Sequence, residues 1–310
     1  MNEFDLITRL MPLLPTDASV VAGAGDDCAV LDLGLPDRWL LFKTDAVVEG
    51  IHFAPDANPE QIGHKALARA LSDIAAMAGT PTHALITLAL PRAFNADFVE
   101  GIYRGVNLLA ARHKVAIVGG ETTTNPDRLL LSIALIGWVE KGKCVRRAGS
   151  REGDAIFVTG ELGGSLEGRH LEFEPRLSEA RWLTEHFEIH AMIDLSDGLA
   201  GDLRHLLKSG GIGAELLGSA IPISRLAKLR AKENHAAKPP LLAALSDGED
   251  FELLFTVAGR DAVPLLDGWK AKFQNSKLSC IGRITAGGGI TLRDHRGIHP
   301  LNVQGYTHFA

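Results

Sequence analysis

One segment constrains the fold of this chain more than any other, the amphipathic run of residues 62–77. Its apolar side chains recur at positions 62, 66, 67, 70, 71, 74 and 75, a spacing that predicts a helix with one face against a core. Asp73 lies on that small, apolar face, close to Ala70, Ala76 and Met77. Because burying an unpaired carboxylate costs several kcal/mol, we expect a cation beside Asp73. A divalent metal ion would supply it, and a salt bridge is the alternative.

Apolar strands alternate with further helices around this segment. Strands are predicted at residues 39–42, 84–90, 115–118, 129–139, 155–158, 191–193, 251–257 and 278–284, and helices at residues 4–14, 98–111 and 199–207. A turn is predicted at Gly119 and Gly120, and the basic, glycine-containing stretch 141–154 is the candidate linker. The pattern predicts α/β or α+β domains, one over residues 1–140 and one over residues 141–310.

Composition limits the classes of partner and compartment. The 310 residues carry a formal net charge of −6, so no basic excess exists to neutralise nucleic acid or an anionic membrane. The three cysteines are far apart and include no C-x-x-C pair, which indicates a reducing compartment. The chain starts without the order of a signal peptide, and its longest apolar stretch, residues 129–139, is too short to span a bilayer. We therefore expect a soluble, cytoplasmic protein.

Carboxylates stand where predicted buried elements end. They are Asp26 and Asp27 in a glycine turn, Asp45 after an apolar strand, Glu121 after two glycines, and Asp194 and Asp197 on either side of Ser196. Taken singly, Asp26, Asp194 and Asp202 are better explained by helix caps or Asx-turns. As a group, the acids indicate Mg²⁺, because clustered carboxylates repel one another unless hard cations neutralise them. The sequence has no H-E-x-x-H pattern, which disfavours a zinc hydrolase.

No sequence motif points to covalent catalysis. The stretch 160–165 is glycine-rich but lacks the Gly-Lys-Ser/Thr ending of a Walker A loop, so we interpret it as a tight strand-to-helix turn. The sequence also has no G-x-S-x-G elbow and no plausible Cys/His nucleophile. It therefore indicates catalysis by positioning and metal ions rather than by a side-chain nucleophile or base.

Six ordered motifs carry a specific resemblance. They are Gly-Ala-Gly-Asp-Asp at residues 23–27, Thr-Asp-Ala-Val-Val-Glu-Gly-Ile-His-Phe at 44–53, Leu-Ser-Asp-Ile-Ala-Ala-Met at 71–77, Gly-Gly-Glu-Thr-Thr at 119–123, Asp-Leu-Ser-Asp-Gly-Leu at 194–199 and Gly-Glu-Asp-Phe-Glu-Leu at 248–253. Through them, nearly the whole chain resembles the thiamine-monophosphate kinases, a family within the aminoimidazole-ribonucleotide synthetase superfamily.

The resemblance implies ATP-dependent phosphorylation of thiamine monophosphate to thiamine diphosphate with several Mg²⁺ ions. It also implies a homodimer, in which the amino-terminal domain binds ATP and Mg²⁺ and forms a β-barrel-like interface, with a carboxy-terminal α/β domain behind it. The implied metal ligands are Asp27, Thr44, Asp45, Asp73, Glu121, Asp194 and Asp197. The implied ATP contacts are Gly120, Glu121, Arg147 and Ser196, and the implied substrate contacts are His52 and Glu249.

The chain departs from the family pattern at five places. Glu121 stands where the family usually has Asp, and Thr124 stands where it has Arg. Lys43 replaces a small hydroxyl residue, and Asp247 replaces a Gly. Val303 replaces a Trp that stacks on the thiamine ring. If the strand after Trp39 continues, Lys43 and Asp45 project to one face. We hypothesise that the Lys43 ammonium replaces part of the charge of one metal ion, and a surface Lys–Asp pair is the alternative.

Two other functions stay open from the sequence. Val303 and Thr124 favour a sister enzyme that uses the same ATP and Mg²⁺ apparatus on another small acceptor, whereas His52 and Glu249 favour thiamine monophosphate. The other open function is that of a non-catalytic nucleotide-binding paralogue, in which Glu121 and Lys43 have disabled phosphoryl transfer.

Overall fold

The computed structural model of the chain describes residues 3–208 and 210–306, which form two compact units. The amino-terminal unit consists of Asp17–Cys144 with the later segment His170–Leu177. The carboxy-terminal unit combines Val145–Arg169 and the residues from Ser178 onward with the start of the chain, where helix α1 spans Glu3–Leu10. The mixed α/β class expected from the sequence is confirmed, and the division at residue 140 stays a prediction.

A six-stranded sheet and two long helices build the amino-terminal unit. Its elements are β1 (Val20–Ala22), β2 (Ala29–Leu31), β3 (Arg38–Val48), α2 (Pro59–Ala76), β4 (Thr80–Leu90), α3 (Ala96–His113), β5 (Ala116–Thr124) and β6 (Leu130–Glu140). The sheet order is β1-β2-β3-β6-β4-β5, and only β4 and β5 pair in parallel. The long pair β3 and β6 is in register from Arg38 opposite Glu140 to Val48 opposite Leu130. Odd-numbered β3 residues such as Leu41 and Val47 are buried in the core.

Helix α2 is the most enclosed element of this unit. The Asn58 side chain accepts a hydrogen bond from Glu60 N at 2.9 Å, and Pro59 occupies the first turn, which together start the helix. Thirteen of its 18 residues are buried, because α2 packs against α3 as well as against β3, β4 and β6. The helix predicted over residues 62–77 is thus confirmed, with its start three residues earlier.

Strand β5 corrects one sequence prediction. Gly119 and Gly120 do not form a turn, since the strand continues through them to Thr124. The pairing with β4 shifts there, from Ala84 opposite Ile117 to Ile86 opposite Gly120. A Cβ on Gly120 would lie 1.8 Å from the carbonyl oxygen of Ile86. The glycine pair therefore serves a bulge and a close backbone approach within a strand.

A seven-stranded sheet forms the carboxy-terminal unit. Its elements are β7 (Ala155–Thr159), α4 (Leu177–His186), β8 (Ile189–Asp194), α5 (Leu199–Leu207), β9 (Ile212–Leu217), α6 (Arg225–Glu233), α7 (Pro240–Ser246), β10 (Leu253–Val257), α8 (Ala262–Lys272), β11 (Leu278–Ala286), β12 (Gly289–Asp294) and β13 (Gly297–Pro300). The order is β13-β12-β9-β11-β7-β10-β8, with only β9 and β12 parallel. Helix α5 buries Leu199, Leu203, Leu206 and Leu207 in its core.

Among residues 3–208 and 210–306, no helix has both the length and the apolar character needed to cross a membrane.

The contact of α2 with α3 depends on glycine. A Cβ added to Gly63 would lie 1.9 Å from the carbonyl oxygen of Ile102, and one added to Gly105 would lie 1.9 Å from that of Glu60. Neither oxygen can move away without shifting a helix backbone, so the two helices approach closely only because both positions lack a side chain.

We expect Gly63→Ala to lower the free energy of unfolding by about 1–3 kcal/mol, the usual cost of overpacking a core. Gly142→Ala is the matched control, because nothing lies within 4 Å of its added Cβ. Chemical denaturation of both variants checks this, and equal midpoints would contradict the close helix contact.

Candidate active site

Two buried carboxylates meet in the amino-terminal unit. Asp27 follows the glycine turn before β2, and Asp73 lies on α2; they are 2% and 6% exposed, and a carboxylate oxygen of each lies within 4.8 Å of the other. The backbone N–H of Cys28 donates to the Met77 sulfur at 3.1 Å, which fastens the turn to the end of α2. The sequence prediction that acids from separate segments converge is therefore met for this pair.

Lys43 and Arg69 stand among these acids. Lys43 Nζ lies 3.0 Å from Asp73 Oδ2, and Arg69 Nη2 lies 3.3 Å from Asp45 Oδ1. Burial alone would lower the pKa of Lys43, but the charges of Asp73 and Asp45 outweigh it and hold that pKa above its usual value. Burial likewise opposes ionisation of Asp45, yet Arg69 and Lys43 hold its pKa below the usual value. An ammonium group thus stands beside Asp73, as in the salt-bridge alternative, and the expected metal ion stays a prediction.

Strand β3 places its polar residues on two faces. Since it runs unbroken to Val48, Lys43 and Asp45 do project to one face, as predicted from the alternation of side chains. Thr44 points to the opposite, exposed face, where its Oγ1 lies 3.3 Å from Ser132 Oγ on β6. Its assignment as a metal ligand stays a prediction.

The edge strand β5 carries Gly120 and Glu121. Glu121 is exposed and stands opposite Thr87 of β4, one residue beyond the tight contact of Gly120. This position leaves the longer carboxylate at the surface of the unit, and the roles assigned to both residues stay predictions.

A buried lysine fixes the predicted substrate contact His52. Lys65 on α2 is fully buried, and its Nζ lies 2.5 Å from the carbonyl oxygen of His52 and 2.6 Å from His170 Nδ1. The backbone N–H of Val48 donates to His52 Nδ1 at 3.1 Å, so the neutral ring carries its proton on Nε2. These contacts fix the backbone and the ring tautomer of His52. Sequence reasoning missed Lys65 and His170, which are 105 residues apart.

In the carboxy-terminal unit, β8 and α5 present a second acidic group. Asp194 ends β8 and is 3% exposed, and Ser196 and Asp197 occupy the turn before α5. Oxygen or nitrogen ligand atoms of Asp197, Asp202 and His205 all lie within 4.8 Å of one another. The Asp197 N–H donates to Asp202 Oδ2 at 3.1 Å, so Asp202 shapes this turn, in keeping with its interpretation as a local hydrogen-bonding residue.

The charges of this second group are set by burial. Burial, with the nearby charges of Asp197 and Asp194, raises the pKa of Asp202 well above its usual value. Burial, with the positive charges of Lys208 and Arg147, lowers the pKa of His205 to about 3. A neutral imidazole therefore stands beside Asp197 at neutral pH. His205 was missed from the sequence, although its spacing of three from Asp202 on one helix was an available signal.

Glu249 lies in a loop with unusual backbone conformation. Glu249 and Phe251 have φ values of 53° and 50°, a left-handed conformation that costs free energy for non-glycine residues. Their N–H groups donate to the carbonyl oxygens of Ser196 at 2.7 Å and Leu195 at 2.8 Å. The loop is thus bonded to the segment that carries Asp194 and Asp197.

The glycine-rich stretch 160–165 supports this loop. The N–H groups of Gly163 and Gly164 donate to the carboxylates of Asp250 and Asp247 at 3.0 and 3.1 Å. Arg169 Nη2 lies 2.7 Å from Asp250 Oδ1. Burial nevertheless raises the pKa of Asp250 to about 6. These amides therefore bind side chains of the protein itself, which agrees with the structural interpretation of the turn.

The last described residues of the chain lie against the turn of Ser196 and Asp197. The Tyr306 N–H donates to the Asp197 carbonyl oxygen at 2.9 Å, and Arg204 Nη2 donates to that of Val303 at 2.5 Å. Val303 itself packs against the apolar core. The position at which the family pattern has a stacking Trp is thus occupied by an aliphatic core contact.

Comparisons with known proteins agree with the motifs. A family model described as AIR synthase related protein, N-terminal domain, matches residues 25–139. A thiamine-monophosphate kinase of Rhodopirellula baltica is 44% identical over 263 residues, covering 82% of this chain and 80% of the relative, and one of Escherichia coli strain K12 is 33% identical, covering 100% and 98%. The solved structure of AaThiL complexed with AMPPCP and TMP superposes with a TM-score of 0.85 at 31% identity, covering 99% of this chain and 97% of that one.

Lys65 provides a test of how His52 is held. We expect Lys65→Met to lower the free energy of unfolding by about 1–3 kcal/mol, because the partly buried carbonyl oxygen of His52 and the buried imidazole of His170 lose a hydrogen-bond partner. Thermal and chemical denaturation measure the change. Lys228→Met is the control, since Lys228 is exposed, and equal losses in the two variants would contradict the contacts of Lys65.

Proposed function

Because the chain belongs to the thiamine-monophosphate kinase family, we propose that it transfers the terminal phosphoryl group of ATP to the phosphate of thiamine monophosphate, giving thiamine diphosphate and ADP. The observation that carries the proposal is the match to kinases of this activity over the full chain at 33% identity and over most of it at 44%. Support comes from the buried acids at the matching positions Asp27, Asp73 and Asp194.

The chemistry suits a site without a side-chain nucleophile. The acceptor is a phosphate monoester with a second pKa of about 6, so it is largely dianionic at neutral pH and needs no general base. The difficulty lies in bringing two polyanions together in line, which is a matter of positioning and charge neutralisation. Buried carboxylates beside fixed cations match that requirement better than acid–base catalysis.

The donor set fits Mg²⁺. Asp27 and Asp73 offer buried carboxylate oxygens within 4.8 Å of each other, the hard ligands that this ion prefers. The residues that would hold the ions are Asp27, Thr44, Asp45, Asp73, Glu121, Asp194 and Asp197. Bound Mg²⁺ would neutralise phosphate charge and align the two reactants.

The other proposed residues act on the reactants directly. We assign Gly120, Glu121, Arg147 and Ser196 to ATP, with Arg147 contributing a fixed positive charge. His52 would donate a hydrogen bond from Nε2 to the substrate, because Val48 N–H occupies its Nδ1. Glu249 would contact the substrate from a loop whose strained backbone is held in place by Ser196.

We also propose that the enzyme is a cytoplasmic homodimer whose amino-terminal units meet through the six-stranded sheet. Phe42, Leu85 and Val118 on β3, β4 and β5 are 46%, 46% and 58% exposed, an apolar surface typical of protein interfaces. The three cysteines, all free thiols, fit a reducing compartment.

The dimer predicts that Leu85→Asp will give monomers, because a charge at an apolar interface is costly to bury. Light scattering after gel filtration measures the mass against the 33.2 kDa of one chain. Leu217→Asp, at an exposed leucine of the other unit, serves as the control. A wild-type mass of one chain would end the dimer proposal.

A sister enzyme with another acceptor is the second candidate. The observation that favours it is Val303, which packs against the core where an aromatic platform is usual. Stacking contributes about 1 kcal/mol, so this change bears on acceptor selectivity rather than on nucleotide use.

The decisive experiment incubates the purified chain with ATP, Mg²⁺ and thiamine monophosphate. We expect thiamine diphosphate and ADP in equal amounts, measured by chromatography, and no product after chelation of the metal. ADP formed only with another phosphorylated acceptor would favour the second candidate, and ATP binding without transfer to any acceptor would favour a non-catalytic paralogue.

Asp73→Asn tests the carboxylate cluster within the same assay. We expect kcat/KM to fall at least about 100-fold, the range for loss of a preorganised electrostatic group, together with a higher Mg²⁺ requirement. Asp267→Asn, at an exposed position of α8, is the matched control. An unchanged metal titration in folded Asp73→Asn would count against the assignment of Asp73.

A further inference from the structure

Basic and acidic side chains are interleaved in the amino-terminal unit where Mg²⁺ ligands are proposed. The exposed fractions of the paired side chains are 22% for Lys43 with 8% for Asp73, and 15% for Arg69 with 18% for Asp45. Limited access of water leaves these charges weakly screened, so each ammonium or guanidinium group counts strongly in the local balance.

The balance of charge is unusual for a site built to hold several divalent ions. Asp27, Asp45 and Asp73 contribute three negative charges, and Lys43 and Arg69 contribute two positive ones. The remaining formal charge of these five side chains, which leave out the exposed Glu121, is minus one, and a single divalent cation already exceeds it. Without the two basic residues, the same carboxylates would call for more than one such ion.

The contact of Lys43 also occupies a ligand atom. Its Nζ lies 3.0 Å from Asp73 Oδ2, whereas Mg²⁺ binds carboxylate oxygen at about 2.0–2.1 Å. An ion on Oδ2 would therefore meet the ammonium group at close range, with repulsion between two cations. The ammonium group and a metal ion would therefore compete for Asp73 Oδ2.

We propose that Lys43 takes the place of a divalent cation beside Asp73, with Arg69 compensating Asp45 in the same way. The unit then holds fewer divalent ions than its three carboxylates could bind. The inference deepens the proposed function, on which it rests for the identity of the metal. A covalently attached cation does not dissociate, so part of the positive charge is present at any Mg²⁺ concentration.

The number of metal ions bound per chain tests this proposal, and the measurement does not depend on enzyme activity. The full-length chain is titrated with Mn²⁺ in the absence of nucleotide and substrate, and free Mn²⁺ is followed by electron paramagnetic resonance. We expect Lys43→Ser to bind about one additional Mn²⁺ ion per chain, because it removes the competing positive charge beside Asp73 Oδ2. Lys43→Arg, which keeps the charge, should retain the wild-type number.

The control removes a similar ion pair from the same unit. Lys141 Nζ lies 2.9 Å from Asp32 Oδ2, so Lys141→Ser deletes one positive charge away from the carboxylate cluster. It should leave the number of bound Mn²⁺ ions unchanged. If Lys43→Ser does not fold, Lys43→Gln takes its place, since it keeps much of the stem and loses the charge.

The outcomes separate this inference from the proposed function. Equal numbers and affinities of Mn²⁺ ions in Lys43→Ser or Lys43→Gln and in wild type would overturn it, as would an extra ion in Lys141→Ser. A chain that makes no thiamine diphosphate but gains an ion in Lys43→Ser would refute the activity and leave the substitution of metal by ammonium standing.

Discussion

The amino-terminal unit depends on the enclosure of α2 on nearly every side. A helix so placed cannot easily leave a charged group without a partner, because an isolated buried charge costs several kcal/mol, a large fraction of the stability of a domain. Its two buried charged residues, Lys65 and Asp73, each have that partner on another segment of the chain. Lys65 is bound by the loop of His52 and by His170, and Asp73 by Lys43 of β3. The charged partners of α2 are drawn from distant segments for this reason.

In the carboxy-terminal unit, hydrogen bonds to the backbone hold the candidate site residues in place. The turn of Ser196 and Asp197 is bonded to the Glu249 loop, to Asp202 and to Tyr306. Strain at Glu249 persists because these bonds, and the carboxylate contacts of Asp250 and Asp247 with the glycine-rich stretch, fix the loop from both ends. A predicted substrate contact, Glu249, therefore lies on a loop that is held at both ends.

The long, strongly patterned elements were predictable from the sequence, and the partners of individual side chains were not. The helical spacing identified α2, and the alternation on β3 correctly gave the common face of Lys43 and Asp45. Alternation says nothing about which residue lies opposite that face, so the partner of Lys43 on α2 stayed hidden. The short strands β9, β12 and β13 lack a distinct apolar period, and two glycines that suit a turn equally suit the bulge in β5. Burial, which decides the charge of His205, is a tertiary property.

The segment His170–Leu177 belongs to the amino-terminal unit although residues of the other unit precede and follow it. Its His170 contacts Lys65. Its Glu174 carboxylate lies 2.9 Å from His113 Nε2 and also contacts the Arg112 guanidinium group. A truncated fragment that stops at Cys144 would contain every strand of the six-stranded sheet and still lack these groups. The polypeptide therefore cannot be cut once into two pieces that each retain a complete set of internal contacts, and the amino-terminal unit cannot complete its contacts until the chain has been synthesised as far as Leu177.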